Sequence, residues 1–385
     1  MKEKFLIDPN ITFLNFGSFG ASPKPVFEKY QQLQLELERS PVQFTTVIGP
    51  QLIQQNKEAL AHYIHCDPLD LVFVTNPSYA VNLVAKNIQL QAGDEILATS
   101  LEYGACDKTW QYTCSKKGAT YVRQPIRLPI QTSDEFVEQF FQGVSNRTKL
   151  IFLSHITSAT ALIFPVKKII DRAQKLGIPT FVDGAHAPGH IPLNLTELNC
   201  DYYTGACHKW MMTPKGSSFL FAKKEVQDSL DPLVISWGYQ ALFPGVSKFQ
   251  DYHQMNGTRD FSAFCCITTA LDFIHEHHWA KVAESSRALV YSNAERFASL
   301  LGSTLLSPIT SEFVGQMLSL PIRCSEPEAF KQHLFETYKI EIPVMRQDEK
   351  VFIRFSIQGF NTQQDLDCLF AALEQEISTG KWLRK

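Results

Sequence analysis

Two residues in this chain stand out for the chemistry they could do, Lys209 and Asp183, 26 positions apart. Lys209 sits in a turn between two short apolar runs, 201–204 and 217–222, among His208, Trp210, Pro214 and Gly216. Runs of that kind, punctuated by glycine and proline, read as strands. An apolar setting disfavours the ammonium form of a lysine and lowers its pKa. The free amine is then a nucleophile that forms a Schiff base with a carbonyl. A lysine alone in a turn is ordinarily a surface group, so the aspartate decides the reading.

Asp183 closes the apolar run 178–182 and is followed by Gly184, Ala185 and His186. In open α/β sheets, ligands lie just beyond the carboxyl ends of strands. Alone, the aspartate could cap a helix, but a buried carboxylate needs a cationic partner. Pyridoxal 5'-phosphate meets both demands. It is carried on a lysine as a Schiff base, and its pyridinium nitrogen pairs with a carboxylate.

The elements that must hold this pair follow from the pattern around it. Between about 70 and 225, short apolar runs alternate with helical ones, which predicts a mostly parallel sheet flanked by helices. Asn76-Pro77-Ser78 is a polar turn between a strand at 71–75 and a helix at 79–86. Free N–H groups at such a turn suit a phosphate, although a plain helix cap would look the same. It is not a Walker loop, because the Gly-Lys-Ser/Thr ending is absent. Residues 11–25 read as an extended, glycine-punctuated arm, and 25–64 as helical with a break at Ser40-Pro41. After Trp237-Gly238 the texture changes to one long helical stretch, about 261–301, and then to mixed segments. Arg354 lies inside an apolar strand, 351–356. A guanidinium there needs either a substrate carboxylate, held by two parallel bonds, or one of the chain's own acids.

With 385 residues, 44% of them hydrophobic and 19% charged, the chain has the composition of a globular protein long enough for two domains. We expect a large α/β domain at 21–250 and a smaller α+β domain made of 1–20 and 251–385. The 36 basic and 39 acidic residues give a net charge of −3, which provides no basis for a nucleic-acid surface. The 11 histidines lack metal-site spacing, so no metal is expected. Nine cysteines without a framework spacing read as free thiols in a reducing compartment. No apolar run has membrane-spanning length and no h-region opens the chain, so a cytoplasmic location is expected.

Several motifs recur in one order: Asn76-Pro77-Ser78, Glu102-Tyr103, Ser154 to Ser158, Val182 to His186, His208-Lys209-Trp210, Gly257-Thr258, and Ile353 to Ser356 with Asn361-Thr362. Together they resemble the class V aminotransferase family, and within it the isopenicillin N epimerase-like branch. Matches run from Asn15 to Thr362. The resemblance implies the type I fold of pyridoxal-phosphate enzymes, with a mostly parallel, seven-stranded type of sheet. It implies Lys209 as Schiff-base lysine and base at Cα, Asp183 as pyridinium partner, and Tyr103 as the stacking ring. The phosphate would lie at Asn76, Pro77 and Ser78, with Ser158 and His186 near the phenolic oxygen and His208 also in contact with the cofactor. Arg354 and Asn15 would bind the substrate. Thr258 would reach the phosphate of a neighbouring subunit, which implies a homodimer with shared sites.

An amino acid losing its Cα proton is the implied chemistry, making the protein an isomerase, a transferase or a lyase. Fold and cofactor do not choose among epimerisation, transamination and β-elimination. Desulfurases of the family carry a cysteine shortly before the carboxylate arginine, and the segment 338–351 has none. They also carry a phosphate-binding serine where this chain has Ala206, a loss that Thr204 or His208 could compensate. The expectation is epimerase-like chemistry, with C–S β-elimination on a sulfur-containing amino acid as the alternative. A binding protein without catalysis is a third reading, opposed by the joint presence of Lys209, Asp183 and Arg354.

Overall fold

A computed structural model describes residues 1–384. Seven strands make the central sheet: β1 Leu71–Val74, β2 Glu95–Thr99, β3 Thr120–Gln124, β4 Thr148–Ser154, β5 Thr180–Gly184, β6 Tyr202–Ala206 and β7 Ser218–Ala222. Their order is β1-β7-β6-β5-β4-β2-β3. Only β7 runs antiparallel to its neighbours, β1 and β6. The inner strands are buried on both faces, which is why they read as continuous apolar runs. Edge strand β3, with Thr, Tyr, Arg and Gln, stays partly exposed. The chain builds outward from β2 to β3 and then returns to lay β4 on the other side of β2. That reversal opens a crevice at the carboxyl ends of β2 and β4.

Helices cover both faces. The site depends most on α3 Pro77–Asn87 and α4 Gly104–Lys117, α5 Val166–Lys175 leads into β5, and α1 Lys24–Arg39 and α2 Gly49–Tyr63 pack on α6 Ile267–Glu276. Helix α3 starts as a proline at the first turn predicts, with the Asn76 carbonyl oxygen of the side chain accepting the Tyr79 N–H at 2.9 Å. A second, antiparallel sheet holds β8 Met317–Ile322, β9 Val344–Gln347 and β10 Lys350–Ser356, in the order β9-β10-β8. Against it packs α7 Trp279–Leu301, and on α7 lies the C-terminal helix Gln363–Thr379, which opens on a Thr362/Asp365 capping box.

Two expectations need correction. The stretch 261–301 is not one helix: α6 and α7 are separate, with His278 in the left-handed region at φ 48° between them. Both helices bury apolar faces, so the periodicity runs through the break, and two histidines rather than glycine or proline mark it. The arm at 11–25 is not wholly extended either. Phe16–Phe19 form a helical turn ending at Gly20, φ 63°, where a Cβ would come within 2.2 Å of the His208 carbonyl oxygen. Only glycine lets the arm lie flat on the lysine turn. Among the described residues, no helix is long and apolar enough to cross a membrane.

Candidate active site

A cavity of about 290 Å³ lies at the carboxyl ends of the central strands, closed on one side by Ser18 and Phe19 of the arm and by Met345 of β9. Asp183, near the end of β5, is buried. Its Oδ1 accepts the Ala185 N–H at 3.0 Å and its Oδ2 faces the Cys106 thiol at 3.5 Å. No helix is capped by it. Burial raises its pKa, and the Ala185 N–H and the Lys209 charge pull it back. Lys209 follows β6 and opens onto the cavity, with Nζ 3.3 Å from His186 Nε2. Burial of the ammonium, with the Arg354 charge, lowers its pKa to about 8 against the opposing pull of Asp183.

The remaining cavity residues divide by what their side chains already do. The Asn76 side-chain oxygen is taken by the α3 cap, while among the described residues neither the Ser78 hydroxyl nor its N–H has a protein partner. Tyr103 stands half-exposed at the mouth, just before α4. Its neighbour Glu102 stands in the Glu102-Tyr103 motif, but the sequence gives it no role of its own. The Glu102 carboxylate is fully buried and accepts from the Thr99 hydroxyl at 2.6 Å and from the Ser154 N–H and hydroxyl at 2.8 and 2.6 Å. It ties β2 to β4 across the crevice, and burial raises its pKa to about 7. His208 lines the cavity and donates from Nδ1 to the Ser217 carbonyl at 3.0 Å, its pKa lowered to about 4 by burial. Thr204 does not compensate for Ala206: it is buried in β6 and donates to the Phe219 carbonyl at 2.8 Å.

Arg354 is 1% exposed and sits behind the cavity wall. Nη1 donates to the Ser158 carbonyl at 2.5 Å, and Nη2 to the Ser18 hydroxyl at 3.2 Å. Its Nε has no partner, and no acid lies within ion-pair distance among the described residues. The salt bridge with one of the chain's own acids is therefore not made. Burial lowers the guanidinium pKa to about 10. Asn15 lies one bond further back, its side-chain oxygen accepting the Ser18 hydroxyl. Ser158 lines the cavity. Thr258 does not: it is exposed, outside the cavity of its own chain.

Sheet, lysine and unpaired aspartate define an enzyme of the pyridoxal-phosphate type. The family model Aminotransferase class-V matches residues 22–369, and the chain belongs to that family. It is 32% identical to an isopenicillin N epimerase of Amycolatopsis lactamdurans, over 97% of each chain. It is 23% identical to a probable chloroplastic L-cysteine desulfhydrase of Arabidopsis thaliana, over 97% of this chain and 84% of that one. An apo cysteine desulfurase structure from Thermococcus onnurineus NA1 superposes with a TM-score of 0.83 at 18% identity, covering 98% of this chain and 97% of that one. The fold is that of the type I pyridoxal-phosphate enzymes, and pyridoxal 5'-phosphate is the cofactor. The residues present fit it: a buried carboxylate lacks its cation, an amine of lowered pKa opens on the cavity, and Ser78 offers free donors.

The lowered lysine pKa has a measurable sign. Only the free amine captures an aldehyde, so the apoprotein's rate of cofactor uptake should rise with pH to half its maximum near pH 8. An ordinary lysine would reach that point near about 10.4. Stopped-flow absorbance measures it, and a rate still climbing steeply past pH 10 would contradict the assignment.

Proposed function

We propose that the protein binds an amino acid by its carboxylate at Arg354 and removes the Cα proton with Lys209, in isopenicillin N epimerase-like chemistry: epimerisation, racemisation or amino transfer. The observation that carries this reading is Arg354, a buried guanidinium with an orphaned N–H and no counter-ion, set just behind the lysine's cavity. A buried cation of that kind is expensive unless a ligand supplies the anion. A carboxylate does so with parallel bonds. The bound cofactor supplies an electron sink for the Cα carbanion. Lys209 Nζ takes the proton, and Asp183 keeps the pyridine nitrogen protonated. Tyr103 would cover the cofactor ring, the 76–78 turn would hold its phosphate, and Ser158, His186 and His208, which line the same cavity, would hold the ring's polar edge. Asn15 acts on the substrate end through Ser18.

The 32% identity to an epimerase over nearly the whole chain supports this reading. C–S β-elimination is the second reading, supported by the L-cysteine desulfhydrase relative. A persulfide route is disfavoured by the absence of cysteine from 338–351. The division into a 21–250 domain and a 1–20 plus 251–385 domain belongs to the same proposal. So does a cytoplasmic location, which nine free cysteines, seven of them buried, support.

The same proposal includes a homodimer. Trp237, Leu242, Phe243 and Val246 are 81 to 93% exposed in one segment, an apolar surface suited to a second copy. Thr258 follows it, exposed and free to serve the neighbour's phosphate. Sedimentation should give a dimer, and co-expressed Lys209→Ala and Thr258→Trp chains should recover part of the activity each lacks alone. An active monomer would refute shared sites.

The reaction is read by mixing holoprotein with L-amino acids and sulfur-substituted analogues, following chirality, keto acid, ammonia and sulfide. Inversion at Cα or keto-acid formation without sulfide supports the first reading, and sulfide with ammonia supports the second. Arg354→Lys should raise KM about 10- to 100-fold, as one ammonium replaces a two-bonded fork worth about 1.5–3 kcal/mol. It should also lower kcat, with cofactor affinity unchanged. Lost thermal stability with an unaltered KM would make Arg354 a structural residue instead.

A further inference from the structure

Behind His186 the side chains form a chain of donors whose direction is set by groups that can only donate. The main-chain N–H of Gln316, just before β8, donates to His190 Nε2 at 2.6 Å. That nitrogen is therefore bare, and the proton of His190 is on Nδ1, which donates to the His186 carbonyl at 3.1 Å. The His190 ring lies on the Trp210 indole, centroids 4.0 Å apart at 22°. Glycines clear the way for the His190 ring and the Trp210 backbone: a Cβ at Gly315 would come within 2.3 Å of His190 Nε2, and one at Gly189 within 2.5 Å of the Trp210 main-chain carbonyl. The indole Nε1–H then points at His186 Nδ1, 3.4 Å away.

An indole N–H cannot accept. His186 Nδ1 is therefore bare, and the proton is on Nε2, 3.3 Å from Lys209 Nζ. Both nitrogens bare would be an imidazolate, and both protonated would put two N–H groups against the Trp210 N–H and the lysine. We propose that Trp210, seated by His190, is a positioning residue that locks His186 as the neutral Nε2–H tautomer, so that His186 donates toward Lys209 and never takes a proton from it. The inference rests on the reading of Lys209 as the site's base. It then follows that a proton gained by Lys209 is not relayed through His186, and stays on Nζ to be returned. Burial and the Lys209 charge, which hold the His186 imidazolium well below its usual range, act in the same direction.

The tautomer is read directly by ¹⁵N NMR of holoenzyme labelled at histidine, with His186 assigned by its loss in His186→Asn. The expected wild-type spectrum shows His186 with an unprotonated Nδ1 and a protonated Nε2. Trp210→Phe keeps a ring on His190 but removes the donor, so both His186 nitrogens should shift toward values averaged between tautomers. A wild-type His186 protonated at Nδ1 would overturn the proposal, as would a Trp210→Phe spectrum identical to wild type. If Trp210→Phe does not fold, the wild-type spectrum decides by itself. The same spectrum can be taken on protein that fails to turn yellow with pyridoxal 5'-phosphate, which separates failure of this inference from failure of the Lys209 reading.

Discussion

Three charged groups stand around one cavity, Asp183 and Arg354 buried and Lys209 partly buried, and among the described residues none makes an ion pair at contact distance. Burying even one charge without a partner costs several kcal/mol. The fold tolerates the three because each has only partial protein compensation: one N–H and a thiol for Asp183, an imidazole for Lys209, a carbonyl and a hydroxyl for Arg354. What each still lacks is the complement of a different ligand atom. On the proposed function, a pyridinium N–H would answer the carboxylate, an aldehyde the amine, and a substrate carboxylate the guanidinium.

Holding such groups demands rigid supports, and the sheet provides them. Asp183 stands on a strand buried on both faces, and Lys209 on the turn leaving the adjacent strand. Glu102 clamps the strands on either side of the crevice with three donors to one carboxyl group, so Tyr103 leaves a fixed point. The second sheet reaches the same place from outside: Gln347 of β9 donates to the Ser100 and Glu102 carbonyls at 3.3 and 3.1 Å.

The parallel sheet, the helix start at 76–78 and the positions of Lys209 and Asp183 after adjacent strands were legible because each depends on a local pattern: an apolar run, a helix start, a strand end. The break at His277-His278 was not, because two helices on one core share a periodicity. The Asn76 side-chain oxygen caps a helix in the same turn that is proposed to hold the phosphate, and no spacing in the sequence separates those two uses. Ser18, Met345, Trp210 and His190 were missed as site residues for a different reason. Their importance comes from contacts between parts of the chain far apart in sequence, such as Gln316 with His190.

The arm shows how such distant contacts join the two halves of the site. Gly20 lies on the carbonyls of His208 and Lys209, and two residues earlier Ser18 holds Arg354. One helical turn therefore touches both the lysine's backbone and the guanidinium. Lengthening that turn by one residue would rotate Ser18 by about 100° away from Arg354, and a side chain at position 20 would push the turn off the lysine loop. The spacing between Ser18 and Gly20 is thus set by the distance between the two chemistries, which is why a short, glycine-ended helix stands where an extended arm was expected.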